Sequence, residues 1–307
     1  MKLVSTTGVL AGYYTDKSIA APLPGMAEAG YHHIDLSFYN VIYPGSPWIA
    51  PGDDWLREVE ACAEAAKALH LDFCQAHSPA GEHYQEGEKR DALTLATKRS
   101  VIACGILGIP CTVMHAQEYK PDNTQFTARN ADWYRQFADL CEKYDVDMLT
   151  ENSSSVWAPN YLLRTGREMV DFVKAAGIPR LHICWDTGHA NCERLNQYDE
   201  ILTMGDELHA VHIQDNMGNH DHHITPGIGN TNFDRVIEGL LAVGFKGTFT
   251  LEDDRTLRPN GAWPNPRQFA REGDRLACFP RELAVKAVRF SREIATWMME
   301  SYQIQVE

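Results

Sequence analysis

Eight short β-rich runs recur along this chain at intervals of a few tens of residues, and no other feature restricts its fold as tightly. They are LVSTTGV (3–9), HHIDLSF (32–38), LDFCQAH (71–77), CTVMHA (111–116), VDMLTEN (146–152), LHICWDTGH (181–189), LHAVHIQD (208–215) and GTFTLEDD (247–254). Helical patterns fill the gaps. Trp133, Phe137, Leu140, Cys141 and Tyr144 form one stripe at helical spacing. Another helix is expected to start at an Asn232 N-cap, carry Val236, Ile237, Leu240 and Leu241, and stop at Gly244. The last is expected to place Leu283, Ala287, Phe290, Ile294 and Trp297 on its inner face. Strands alternating with helices imply parallel βαβ units, and eight of them imply a closed (β/α)8 barrel of the α/β class. An open doubly wound sheet is the alternative, but no G-x-G-x-x-G follows the first strand. Residues 1–307 read as a single domain, with a Pro- and Arg-rich loop over 253–279 before the C-terminal helix.

A formal net charge of −14 disfavours a nucleic-acid partner, because no Lys/Arg cluster is longer than Lys89-Arg90 or Lys98-Arg99. Excess acid suits a holder of divalent cations instead. The first residues, MKLVSTTGVLAGYYTDK, lack the apolar stretch of a secretory signal, and no run approaches a membrane span. The eight cysteines show no C-x-x-C pair and several lie in apolar runs, which reads as the reduced thiols of a cytoplasmic protein.

Polar side chains stand at the C-terminal end of strand after strand: Asp35, His77, His115, Glu151, Asp186, His212 and Glu252. In a (β/α)8 barrel those ends converge on one mouth, where active sites form. A single strand-end carboxylate is commonly a helix N-cap or half of an ion pair, but seven polar ends on consecutive strands exceed that explanation. Carboxylates buried together need a compensating cation. Glu151, Asp186, His212 and Glu252 supply three carboxylates and one imidazole, a set suited to octahedral Mn2+, Mg2+ or Co2+ with positions left for substrate oxygens. If Asp186 faces inward, strand alternation also turns Cys184 and His182 inward; Glu252 does the same for Thr250 and Thr248.

The motifs AHSP (76–79), LTEN (149–152), WDTGHA (185–190), VHIQDN (211–216), DHHITPGIGNTNF (221–233) and TLEDD (250–254) resemble those of the xylose isomerase-like TIM barrels. That superfamily joins sugar phosphate isomerases and epimerases with endonuclease IV-type apurinic-site nucleases. The resemblance covers the chain from its first strand to its last helix. It implies that Glu151, Asp186, His212 and Glu252 ligate one divalent cation, Mn2+ first, with Mg2+, Co2+ or Zn2+ as alternatives. It also implies that His189 contacts substrate and that Asp221 and His223 face the mouth, leaving Asn219, His220 and His222 as solvated loop residues. The endonuclease branch implies more: His77, His115 and Glu151 in one zinc site, and His189, Asp221 and His223 in another.

The first functional expectation is therefore an isomerase or epimerase of a sugar, sugar phosphate or polyol, in which the cation holds adjacent substrate oxygens and stabilises an enediolate. Glu151 and Glu252 would be general base and acid, helped by a nearby group or water, with His189 polarising the carbonyl. His77, His115, Asp221 and His223 would line the substrate, and Tyr39, Trp48, Trp157 and Trp185 would offer apolar walls. The family's ketose 3-epimerases carry a second glutamate where this chain has Trp157, and an arginine where it has Met217 and Gly218. The chain therefore departs from the pattern of a simple free-ketose 3-epimerase. Two alternatives remain: a lyase or dehydratase of inositol-like or glycoside substrates at the same site, and a trinuclear zinc phosphodiesterase. The expected partners are a small carbohydrate and a second subunit, in a homo-oligomer or a hetero-oligomer.

Overall fold

In the computed structural model, which describes residues 1–118, 123–156, 158–257, 271 and 279–306, the eight expected strands all form. They are β1 (Lys2–Thr6), β2 (His33–Ser37), β3 (Asp72–His77), β4 (Cys111–Met114), β5 (Asp147–Glu151), β6 (Leu181–Asp186), β7 (Leu208–Ile213) and β8 (Thr248–Leu251). All pair in parallel, and β1 also pairs with β8, closing the barrel in sequence order. The register shifts by one residue at two places, passing over Cys74 in β3 and His209 in β7. Such bulges re-aim the side chains around them.

Inside the barrel Val113, Leu149, Cys184 and Ala210 form a small apolar layer. Most of the core lies outside it, between strands and helices, where Leu36, Met148, Ile183, Phe249 and others are buried. The helix Phe233–Ala242 follows the expected pattern except at Leu241, which is 46% exposed: Asn232 Oδ1 accepts from Arg235 N at 3.2 Å, and Val236, Ile237 and Leu240 are buried. Each such residue contributes about 1.5–3 kcal/mol by leaving water.

Three expectations need correction. The stripe from Trp133 to Tyr144 is split between two helices, Phe126–Arg135 and Ala138–Tyr144. Phe137 N bonds Tyr134 O at 3.0 Å, an i→i+3 turn at the break, where both aromatic rings are fully buried. The last helix, Arg281–Ser301, buries Ala284, Val285, Val288, Ser291, Ala295, Met298 and Met299. Of the stripe assigned to its inner face, Leu283, Phe290 and Trp297 look outward, 42%, 49% and 65% exposed, while Ala287 and Ile294 are half-buried and Ile294 packs on the core. Trp48 and Trp185 are fully buried, their indoles donating to Glu58 and Gln197, so they are core and not sugar-binding walls. Trp157 and most of the 253–279 loop lie outside the described residues.

Candidate metal centre

The last residues of β5 and β6, the penultimate residue of β7 and the residue after β8 are Glu151, Asp186, His212 and Glu252. One ligand atom from each lies within 4.8 Å of the others. His212 Nδ1 is 2.8 Å from Glu151 Oε1 and 3.2 Å from Glu252 Oε2. Asp186 does two jobs at once. Its Oδ1 accepts from His189 N at 2.6 Å and caps the short helix Thr187–Cys192, while its Oδ2 is buried without a hydrogen-bond partner, as is Glu151 Oε2. Buried carboxylate oxygens are normally satisfied. Two orphaned oxygens in a converging set of three carboxylates and one imidazole fit a divalent cation.

The electrostatics agree with that fit. Burial pushes the Asp186 carboxyl up to about 7; His189 offsets part of that, and Glu151 and Glu252 add to it. Burial would raise Glu151 too, but the His212 and His115 imidazoles outweigh it and bring that carboxyl to about 2. Desolvation opposes a charge on His189, yet Asp186 and Asp221 overcome it and lift the imidazole to about 10. That shift favours the protonated form of His189. Its Nδ1–H donates to the Asn152 carbonyl at 2.8 Å, which leaves Nε2 toward Asp221, 3.4 Å away.

The other expected residues gather around this cluster. His115 Nε2 sits 3.0 Å from His77 Nε2 and 3.5 Å from Glu151 Oε2. His223 Nε2 is 3.0 Å from Asp221 Oδ2, and its Nδ1 donates to the Glu252 carbonyl at 2.8 Å. It reaches both from a left-handed backbone, φ 51°, that non-glycine residues rarely adopt. A cavity of about 240 Å³ opens above them, lined by Tyr39, His77, His115, Glu151, His189 and Asp221 among others. Arg255 is the one Lys or Arg among its described lining residues, and it is paired with Asp254 at 3.2 Å. His222, expected to be solvated, is buried, with its Nδ1 accepting from Met217 N.

Four supporting residues escaped the sequence reading. Gln75 Oε1 accepts from Thr248 Oγ1 at 2.8 Å, while its amide nitrogen lies 2.9 Å from His212 Nε2. Since β3 and β8 are not neighbours, this contact crosses the barrel interior. Strand alternation from His77 could have found Gln75. Gln214 donates to Asp186 Oδ1 and Asp221 Oδ1, and Asn152 binds Asp186 at both its backbone N and O. A Cβ on Gly188 would collide with the Gln214 amide and push it off Asp186 and Asp221. Asp215 accepts from the backbone N–H groups of Asn216, Gly227, Gly229 and Thr231, which folds the Pro-Gly-x-Gly turn back on β7 and turns Asp221 and His223 to the mouth.

A family profile described as the xylose isomerase-like TIM barrel matches residues 25–275. The chain is 24% identical over 258 residues to the uncharacterized protein MJ1311 of Methanocaldococcus jannaschii, covering 80% of this chain and 83% of that one. It is 29% identical over 92 residues to a D-psicose 3-epimerase of Enterocloster bolteae, a match spanning 30% of this chain and 29% of that one. The IolI protein, solved with a bound zinc atom, superposes with a TM-score of 0.72 at 15% identity, over 98% of this chain and 99% of that one.

Proposed function

The chain belongs to the xylose isomerase-like TIM-barrel family, and from that premise we propose that it is a divalent-metal-dependent isomerase or epimerase of a small carbohydrate. The observation that carries this reading is the convergence of Glu151, Asp186, His212 and Glu252 within 4.8 Å, with orphaned oxygens on two of them. A cation held there would supply Lewis acidity to adjacent substrate oxygens. The oxygen-rich donor set favours Mn2+, with Mg2+, Co2+ or Zn2+ as substitutes.

Glu151 and Glu252 reach the cavity from β5 and from just beyond β8, so they would flank a bound sugar. One would accept the proton from carbon and pass it to a water or neighbouring group, and the other, protonated in turn through such a relay, would return a proton to carbon. His189, held positive by Asp186 and Asp221, would donate to the carbonyl or a hydroxyl and offset the negative charge that builds as the proton leaves. His77, His115, Asp221 and His223 would hold hydroxyls, and Tyr39, whose ring centroid is 5.2 Å from that of His77, would offer an apolar wall. A cavity whose one described guanidinium is already paired favours an unphosphorylated substrate. The exposed stripe on the last helix supports a homo-oligomer, and the free thiols among the described cysteines support a reducing, cytoplasmic setting.

The test is exchange. Incubation with candidate sugars in deuterated water is expected to place deuterium at a carbon-bound position. Glu151→Gln is expected to slow that exchange about 10²–10⁴-fold; undiminished exchange rejects the role given to Glu151. A lyase would exchange the same proton but release water or an aglycone. Two further ligand groups also converge, His77/His115/Glu151 and His189/Asp221/His223, and they favour a second reading, the trinuclear zinc phosphodiesterase. Three equivalents of zinc at the mouth with no sugar exchange would support that reading in place of the first.

A further inference from the structure

The space above the metal centre continues sideways. Beside it lies a second cavity of about 390 Å³, and Tyr39, His115 and Ser153 line both. It is the larger of the two, since the cavity over the cation ligands is about 240 Å³. Pockets for small molecules run from about 300 to about 1,000 Å³, so the mouth alone is small and the side cavity is of ligand size. His115 is the partition between them. Its Nε2 is 3.5 Å from Glu151 Oε2, so a molecule touching this ring from the side cavity lies against the neighbour of a metal ligand. Tyr161 joins the two spaces again: it lines the side cavity while its hydroxyl donates to the Glu151 carbonyl at 3.1 Å.

The loops after β3 and β4 that wall this cavity are tied to each other, so its shape exists before a ligand arrives. Gln117 makes most of the ties. Its Oε1 accepts from His83 N at 2.7 Å, its Nε2 donates to the Gly81 carbonyl, and its backbone N and O bond the Asn130 side chain at 2.8 and 2.9 Å. The His83 ring lies on Trp133, with centroids 4.2 Å apart and planes 3° from parallel. A preformed cavity spares a ligand the cost of ordering its walls. Leu93, Met114 and Tyr161 give the lining apolar surface, and Ser78, Glu118 and Ser153 give it polar atoms. That mixture suits a ring with an apolar face and hydroxyl edges. No Lys or Arg stands among its described lining residues, whereas Glu82 and Glu118 do, so a neutral group is favoured over a phosphate or a carboxylate.

We propose that the side cavity is a second sugar subsite, and that the substrate is a neutral carbohydrate of at least two linked rings. One ring lies over the metal centre and the next lies beyond His115 and Tyr39. This rests on the reading of the mouth as a carbohydrate isomerase or epimerase site. The probes are D-fructose and isomaltulose, a fructose unit whose far-end hydroxyl carries a glucose ring, each titrated calorimetrically into the Mn2+-loaded protein. Isomaltulose is expected to bind at least about tenfold more tightly than D-fructose, as added pocket contacts allow. Ala80→Trp, which places an indole in the side cavity, is expected to remove that preference. A parent crystal soaked with isomaltulose is expected to show the glucose ring in the side cavity, and this readout stands even if the variant does not fold. Equal affinities for the two sugars, no binding of isomaltulose, an undiminished preference in Ala80→Trp, or a glucose ring placed elsewhere would overturn the proposal. Deuterium exchange separates it from the reading beneath it. A preference for isomaltulose without exchange at carbon would reject the mouth's chemistry and keep the subsite, whereas exchange of D-fructose without a preference would reject the subsite alone.

Discussion

Gln75 decides which nitrogen of His212 faces the acids. Its oxygen is engaged by Thr248 and Thr250, and its nitrogen meets His212 Nε2, which holds the ring with Nδ1 toward Glu151 and Glu252. Partners of this kind set the orientation and basicity of a ligating imidazole. Gln75→Leu is expected to weaken cation affinity at the mouth about 10–100-fold, measured by competition with a chromogenic chelator; unchanged affinity removes this role from Gln75. Asp253 shows a different consequence of burial. Its carboxyl accepts from Thr225 Oγ1 at 3.2 Å and is pushed up to about 6 by desolvation. A raised carboxyl favours the neutral form in the fold, so the stability it contributes is present below the ordinary value and lost as pH rises through about 6. Asp253→Asn keeps an acceptor and cannot ionise. Between about pH 4 and about pH 7 the parent is expected to lose on the order of 3 kcal/mol that the variant does not lose. Parallel curves of Tm against pH would contradict this.

At the scale of elements, the last helix carries two apolar faces. The face on the barrel is made of small and flexible residues, Ala284, Ala295, Met298 and Met299, which let the helix lie close to its neighbours. The outer stripe of Leu283, Phe290 and Trp297 repeats every seven residues and is flanked by Lys286 and Glu293, four residues before Phe290 and three after it. A two-fold axis near Phe290 would lay the stripe on its copy and bring each Lys286 near the Glu293 of the second chain. Phe290→Ser/Trp297→Ser is expected to lower the oligomeric mass in light scattering, while monomer stability shifts by about 0.5 kcal/mol or less per site. A parent that is already monomeric would dispose of this assembly. Helical spacing identified the stripe but not which of the two faces the barrel would claim, because either could be buried.

For the whole molecule, the strands were legible from eight recurring β-rich runs, and with them the closed barrel. Strand-end position identified all four members of the mouth cluster, since closure carries every C-terminal end to one rim. What stayed hidden were contacts that exist only after closure. Gln75 reaches His212 across the interior, Gln214 joins Asp186 to Asp221, and Asp215 gathers the turn at Gly227 and Gly229. The stacking of His209 on His182 was hidden for the same reason, as it depends on a one-residue bulge in β7. The assignments of Trp48 and Trp185 failed because an aromatic run does not say whether a ring faces a cavity or the helix layer. Alternating polarity and helical spacing are local properties of a chain, so the sequence by itself determined the elements, their order and the strand ends that bear acid and imidazole. Which side chains meet depends on register, bulges and closure, and those are set by packing among residues far apart in the chain, so only the tertiary structure decided them.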